Sequence, residues 1–179
     1  MPFVDAYLYD PAVKFILTER NPASFARSIQ NTLGQFVRAG HSLPMGLLKY
    51  FDTYNRAFFN LGDEMYRVYT QGKWLDDPGC NENIERWYEQ YIVTIKKNVP
   101  PERLLHVRLE DGLGWEQVCP FLNVEIPDVH YPRGNRPDEF AEISQGFLEP
   151  GIKKAFGILA VSVMAVAGAG AWWLYPRHH

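Results

Sequence analysis

The spacing of hydrophobic positions changes near residue 21, and this change predicts the first elements of the fold. Residues 14–18 form a short apolar run ending in Thr18, which predicts a strand covered on both faces. Asn21 suits a helix cap and Pro22 suits a first helical position, so a helix is predicted to begin at Pro22. Its core-facing stripe recurs at helical spacing and consists of Phe25, Ile29, Leu33, Phe36 and Val37.

Later hydrophobic patterns predict further helices and a second strand. Helical spacing recurs over residues 44–60, 63–69, 82–99 and 115–122. The first two of these helices are predicted to be separated near Gly62. The apolar run 104–109 follows two prolines and predicts a strand. Because helices separate the two predicted strands, the pattern indicates the α/β class, with a short parallel sheet layered between helices.

The C-terminal segment 155–176 contains no charged side chain, and Ser162 is its only strongly polar one. As a helix it would extend about 33 Å, which is close to the thickness of a bilayer core. Lys153 and Lys154 precede it, and aromatic residues crowd its far end before Arg177, as in helices that cross membranes. The segment therefore predicts a C-terminal transmembrane helix. The alternative is a buried core helix.

Charges around this segment predict its orientation. Two lysines precede it and one arginine follows, which favours a main domain on the cytosolic side. Residues 1–7 lack a basic stretch followed by an apolar one, so no signal peptide is predicted and insertion by the tail is expected. Small residues at four-residue spacing, such as Ala165 and Ala169, also favour association between two copies of the helix.

Composition and charge narrow the functional classes. With 46% hydrophobic and 15% aromatic residues, the 179-residue chain can form one domain with a substantial core. The formal net charge is −3 and Lys and Arg form no long stripe, so binding to a nucleic-acid polymer is not expected. Cys80 and Cys119 have no metal-ligand spacing and the histidines are scattered. We therefore expect reduced thiols and no metal site.

Arg20 and Ser28 are candidate binding residues at the junction of the first strand and helix. Arg20 lies at the carboxyl end of the strand, and Ser28 lies about two turns into the helix. Free backbone N–H groups are expected at such a junction, where they attract anions. A guanidinium and a hydroxyl suit a phosphate or sulfate group. The alternative is that Arg20 forms a surface ion pair with Glu19 or Asp10, and that Ser28 is only a polar helix residue.

The segment Ile16–Pro22, followed by Ser28, resembles the 3′-phosphate-binding segment of PAPS-dependent sulfotransferases, and most of all the fungal branch of that superfamily. Further short segments resemble the same family in order and spacing, over residues 101–105, 110–112, 114–122, 126–127 and 131–135. The resemblance extends over residues 3–140 and implies a partial P-loop-type three-layer fold. It implies that Arg20 and Ser28 hold the 3′-phosphate of the sulfate donor PAPS or of its product PAP. Arg133 would add a second basic contact or lie in a surface turn.

The resemblance also implies parts that this sequence does not contain. Sulfotransferases bind the phosphosulfate end of the donor with a loop after their first strand, and their catalytic base comes from the same region. No Gly-x-x-x-x-Gly-Lys-[Ser/Thr] motif occurs here. We therefore expect an N-terminally truncated sulfotransferase-like domain over residues 1–140 that lacks this loop, a connector over 141–154 and the transmembrane helix over 155–176.

Three functions stay open from the sequence, and none of them assigns a catalytic residue. The first is a membrane-anchored sulfotransferase-family protein that keeps the 3′-phosphate site and acts on a small hydroxyl-bearing acceptor if the missing parts come from elsewhere. The second is a catalytically inactive, tail-anchored scaffold or interaction protein derived from the same fold. The third is an unrelated P-loop nucleotide-binding protein, which the missing loop argues against.

Overall fold

Two short parallel strands form a sheet within the described part of the chain. The structure, a computed structural model, describes residues 2–132 and 137–174. Strand β1 (Phe15–Glu19) pairs with strand β2 (Leu104–Arg108), so that Phe15 lies opposite Leu104 and Glu19 lies opposite Arg108. Both strands predicted from apolar runs are confirmed, and so is their parallel pairing.

Helices make up most of the rest of the described chain. The α-helices are α1 (Pro2–Leu8), α2 (Pro22–Ile29), α3 (Gln35–His41), α4 (Met45–Leu48), α5 (Thr53–Thr70), α6 (Cys80–Asn98), α7 (Trp115–Leu122) and α8 (Pro137–Leu174). A π-helical turn occupies Gln30–Gly34, and 3₁₀ turns occupy Lys49–Phe51, Pro101–Arg103 and Leu109–Asp111. A short parallel sheet with many helices and one apolar C-terminal helix confirms the predicted fold class.

The chain divides into two compact units. The first unit comprises residues 1–29 and 69–134, and the second comprises residues 30–68 and 135–179. The first unit contains the sheet, and its core is formed by Leu17, Tyr88, Ile92, Ile95 and Val99. The Phe25 ring of α2 stacks on the Tyr88 ring of α6 with 4.1 Å between centroids. Packing of α2 and β1 against α6 thus sets the position of the strand-to-helix junction.

Strand β1 differs from the sequence prediction in its burial. Leu17 is buried against α6, whereas Ile16 on the opposite face is 44% exposed and Thr18 is also exposed. The prediction of a strand covered on both faces is therefore wrong. Side chains alternate between the faces of a strand, and α6 covers only the face that carries Leu17.

The two helices predicted over residues 44–60 and 63–69 are divided differently in the structure: α4 and a 3₁₀ turn come first, and α5 then continues through Gly62. The boundary between the 3₁₀ turn Lys49–Phe51 and α5 falls at Asp52. Oδ1 of Asp52 accepts the N–H of Asn55 at 2.9 Å and so caps the start of α5. Gly62 lies inside the helix, where an added Cβ would sit 2.6 Å from the Phe36 ring. The glycine therefore permits close packing and does not end the helix.

Helix α8 belongs to the second unit and carries the apolar segment predicted from the sequence. Leu148–Trp173 is the one helical segment among the described residues that is long and apolar enough to cross a membrane, with a mean hydropathy of 1.9. Leu148 and Ala155 are buried where α8 packs against α4 and the turn Lys49–Phe51. Most side chains beyond Ala155 are exposed. Residues 175 and 176 of the predicted span lie outside the described residues.

Candidate functional site

The carboxyl ends of β1 and β2 lie side by side, because the strands are parallel and Glu19 is opposite Arg108. Arg20 follows β1, and Glu110 lies in the 3₁₀ turn after β2. Oε1 of Glu110 accepts the N–H of Asn21 at 2.7 Å. This hydrogen bond is the main cause of the lowered pKa of Glu110, and the charges of Arg20 and Arg108 lower that pKa further.

The start of α2 is built as the local sequence predicts. Oδ1 of Asn21 accepts the N–H of Ser24 at 3.1 Å, and the Asn21 carbonyl accepts the N–H of Phe25 at 3.0 Å. Pro22 occupies the first helical position, where its missing N–H costs nothing. The cap fixes where the helix begins, and it therefore fixes where Arg20 lies relative to the helix axis.

Backbone N–H groups at this junction are largely occupied, contrary to expectation. The N–H of Arg20 donates to Oη of Tyr88 at 2.9 Å. The N–H groups of Asn21 and Ser24 donate to the Glu110 carboxylate and the Asn21 amide. The expectation of free N–H groups is thus corrected, because Tyr88 and Glu110 reach the junction from distant parts of the chain. An anion here would have to be held mainly by side chains.

The Arg20 side chain is half-buried at this edge of the sheet. Its guanidinium makes no hydrogen bond or ion pair within residues 2–132 and 137–174, although its charge acts on the titration of Glu110 and Tyr88. Ser28 is half-buried near the end of α2. At 1.5 Å per residue, Ser28 lies about 9 Å along the helix axis from Pro22. Both residues therefore belong to the strand–helix unit, and their contact with a common ligand stays a prediction.

Glu19 belongs to a separate charged cluster. Its Oε2 lies 2.5 Å from Nζ of Lys96 and 2.6 Å from Nε2 of His106. The pKa of Glu19 lies below its ordinary value, chiefly because Lys96 donates this hydrogen bond; burial opposes the shift, and His106 contributes less. Asp10 is also engaged elsewhere, since its Oδ1 accepts the N–H of Ala12 at 2.9 Å. The alternative ion pairs of Arg20 with Glu19 or Asp10 are therefore not what the structure contains.

An open cavity of about 560 Å³ lies in the first unit, beyond the end of β2. It is lined by Asp111, Gly112, Leu113, Gly114, Glu116, Gln117, His130 and Tyr131. Nε1 of Trp115 donates to the Val129 carbonyl at 2.8 Å, and the Trp115 ring meets the Tyr131 ring edge-on at 4.8 Å. The volume is typical of small-molecule sites. Sequence reasoning did not find this cavity, and its only local signal is the Gly112-x-Gly114 pair before α7.

Two further sequence predictions concern a second basic contact and a metal site. Arg133, considered as a second basic contact, lies outside the described residues. Within the described ranges, no group of three or more His, Cys, Asp and Glu side chains is arranged to hold a metal ion.

Comparison with known proteins defines the class of this protein. A family described as a sulfotransferase domain matches residues 2–140, which is most of the chain. The chain therefore belongs to the sulfotransferase domain family. The resemblance stated from the segments around Arg20 and after β2 is confirmed at the level of the family.

The comparison also finds a fungal relative. Over 123 residues the chain is 29% identical to "Ava biosynthesis cluster protein M" of Aspergillus versicolor. The aligned region covers 68% of this chain and 45% of that protein. The chain thus spans less than half the length of this relative.

Proposed function

We propose that this protein binds the 3′-phosphate of a PAPS-type sulfate donor through Arg20 and Ser28, for transfer to a small hydroxyl-bearing acceptor. The observation that carries the proposal is the half-buried residue Arg20 at the carboxyl end of β1. Arginine is the side chain best suited to phosphate, because its planar group donates parallel hydrogen bonds. Membership of the sulfotransferase domain family supports this donor.

Both candidate side chains belong to the same strand–helix unit, which supports the proposal of one shared phosphate. Asn21 ends the strand sharply and begins α2, so Arg20 lies at the foot of the helix and Ser28 lies higher on it. Ser28 lies about 9 Å along the axis from Pro22, the first residue of α2, and its contact with the same phosphate as Arg20 is part of the proposal. The cavity beyond β2 lies after the neighbouring strand and offers room for the rest of a small ligand.

The role assigned to this chain is donor binding and not the chemical step. PAPS would supply the sulfuryl group, and Arg20 and Ser28 would hold its remote phosphate in place. Sulfuryl transfer also needs positive charge at the phosphosulfate and a base at the acceptor hydroxyl. We assign neither group to a residue here. Transfer by the whole protein is a proposal, because the aligned region is only 45% of the fungal relative.

We also propose that α8 anchors the protein in a membrane, with the main domain on the cytosolic side. Leu148–Trp173 has the length and composition of a span, and Lys153 and Lys154 lie within it near its N-terminal end, before the uncharged residues that follow. A catalytically inactive scaffold attached by the same helix is the alternative if nucleotide binding fails.

Isothermal titration with 3′-phosphoadenosine 5′-phosphate (PAP) tests donor binding, with the full chain in detergent micelles. The parent protein should bind PAP more tightly than adenosine 5′-phosphate, which lacks the 3′-phosphate. Arg20→Ala should weaken PAP binding about 10- to 100-fold, because it removes a charge-assisted hydrogen bond. The same substitution should leave adenosine 5′-phosphate binding nearly unchanged.

Two matched variants control for charge alone. Arg108→Ala removes a positive charge from the same edge of the sheet and should affect PAP binding little. Glu110→Gln removes the negative charge near Arg20 but can still accept the Asn21 N–H, so it should bind PAP at least as tightly as the parent. Absence of PAP binding, or equal affinities in the parent and Arg20→Ala, would refute the proposed site and favour the scaffold function.

A further inference from the structure

Several large apolar side chains are exposed on one short segment of the second unit. Leu43, Leu47, Tyr50 and Tyr54 are between 46% and 83% exposed. Leu43 precedes α4, Leu47 lies in α4, Tyr50 lies in the turn Lys49–Phe51 and Tyr54 lies near the start of α5. Four large apolar side chains are thus exposed within residues 43–54. We refer to these four side chains as the 43–54 surface.

The same segment also packs against α8. Nζ of Lys154 lies 3.4 Å from Oδ2 of Asp52. The Asn55 side chain lies against Gly151 so closely that a Cβ there would be 2.6 Å from Nδ2. Ala155 is the last fully buried residue of α8 in the described chain. The contact with α8 therefore ends where its long exposed apolar stretch begins.

This arrangement fixes the depth of the 43–54 surface if α8 crosses a bilayer. The span would enter the hydrocarbon just after Lys153 and Lys154, whose ammonium groups suit the headgroup layer. Because Asp52 contacts Lys154, the segment that carries the surface lies at the level of the headgroups. Tyrosine is enriched at that level, since its ring is apolar and its hydroxyl is polar.

We propose that the 43–54 surface lies in the interfacial layer of the same bilayer that α8 spans. The partner is a lipid surface, and the inference rests on the proposed membrane anchoring. Large apolar side chains exposed close together along the chain are costly in water, whereas the interface would cover Leu43 and Leu47 and keep both tyrosine hydroxyls hydrated. The second unit would then rest on the membrane through this surface as well as through α8.

Exposed apolar residues farther along α5 provide the matched control. Leu61 and Val68 are each 57% exposed, similar to the 43–54 surface. They lie on α5 about 10 Å and 20 Å from Tyr54 along its axis. They lie 9 and 16 residues beyond Asp52, whose contact with Lys154 marks the level at which α8 would enter the membrane. If hydrophobicity alone decided membrane contact, both groups would contact lipid equally. A difference in lipid contact between them therefore tests their position relative to the membrane.

Fluorescence quenching in vesicles tests the proposal with the full chain. Leu47→Cys, Leu61→Cys and Val163→Cys are labelled with an environment-sensitive fluorophore and reconstituted in phosphatidylcholine–phosphatidylserine vesicles that contain spin-labelled lipid. The native Cys80 and Cys119 are buried, and the parent protein measures their background labelling. A spin label near the headgroup should quench position 47 at least about twofold more strongly than position 61. A deep spin label should quench position 163 most strongly.

The outcomes separate this inference from the proposed anchoring. Strong deep quenching at 163 with equal quenching at 47 and 61 would overturn the inference and leave the anchoring intact. Absence of quenching at 163, together with release of the protein by alkaline carbonate, would overturn both. Tyr50→Cys provides a second reporter on the surface. Circular dichroism of each labelled protein must match the parent, so that a folding defect is not read as a change in depth.

Discussion

Arg103 links the beginning of the chain to β2 with a single side chain. Its nitrogens donate hydrogen bonds at 2.6–3.2 Å to the carbonyl oxygens of Tyr7, Leu8, Asp10 and Val13. The guanidinium also lies 5.4 Å from the centroid of the Phe15 ring. A planar group with donors in fixed directions can bind several carbonyls at once, and those of Tyr7 and Asp10 also accept the backbone N–H groups of Asp10 and Val13. Arg103 therefore holds the N-terminal segment against the sheet of the first unit.

Arg103→Lys should lower the free energy of unfolding by about 1–3 kcal/mol, because lysine cannot reproduce this set of hydrogen bonds. Amide hydrogen exchange over residues 7–13 should become faster. Denaturant unfolding gives the first quantity, and exchange measured by mass spectrometry gives the second.

Arg67→Lys is the control for this substitution. Arg67 is exposed on α5 and lies 4.0 Å from Glu64 at a helical spacing, so its replacement should change stability by less than about 0.5 kcal/mol. Equal stability of the two variants, with residues 7–13 equally protected, would show that the Arg103 hydrogen bonds do not hold the segment.

The candidate site was predictable only where its contacts are local. The Asn21 cap joins residues three positions apart, so the sequence predicted it together with the start of α2. Tyr88 and Glu110 bind the junction from 68 and 89 residues away. Local sequence patterns cannot predict partners at such distances along the chain. The sequence therefore predicted Arg20 and Ser28 as candidates. It also predicted free N–H groups, which in the structure donate to Tyr88 and Glu110.

Two glycines, in α5 and α8, show that the bounds of helices also depend on contacts with distant residues. Gly62 was predicted to interrupt a helix, but it lies within α5 and packs against Phe36 of α3. Gly151 lies within α8 and packs against Asn55 of α5. In both places the absence of a Cβ lets another side chain approach the helix backbone. The sequence does not distinguish this role from a helix end, because the deciding neighbour comes from another element.

Gly151→Ala should weaken the packing of α8 on α5. The added Cβ would lie 2.6 Å from Asn55 Nδ2, and Asn55 is fully buried, so its side chain has no space into which it can move. Overpacking of this kind typically costs about 1–3 kcal/mol. A lower thermal midpoint of the full chain in detergent micelles, with faster hydrogen exchange over residues 148–155, is the expected result.

The double variant Asn55→Ala/Gly151→Ala should recover much of that loss. It removes the clash, and it removes two buried polar atoms that have no hydrogen-bond partner within the described residues. Gly146→Ala is the matched control in the same helix, since an added Cβ there meets nothing within 4 Å. A loss in Gly146→Ala as large as in Gly151→Ala would attribute the effect to helix properties and not to the contact with Asn55.

At the scale of the whole molecule, the sequence predicted the helices and strands that periodic patterns define. It did not predict the contacts between segments that are distant along the chain. Apolar runs and helical spacing gave the α/β class, both strands and the apolar C-terminal helix. The division into units 1–29 with 69–134 and 30–68 with 135–179 depends on contacts between remote segments, and the sequence did not predict it. The family match ends at residue 140, before the apolar segment Leu148–Trp173. The proposed anchor is thus separate from the region that defines the family.

The most direct test of donor binding observes the two phosphates of PAP separately by ³¹P nuclear magnetic resonance. On titration with the full chain in detergent micelles, the 3′-phosphate resonance should shift or broaden more than the 5′-phosphate resonance. Arg20→Ala should abolish this difference, and Arg108→Ala should preserve it. A response confined to the 5′-phosphate, or an unchanged 3′-phosphate response in Arg20→Ala, would contradict recognition of the 3′-phosphate at the junction of β1 and α2.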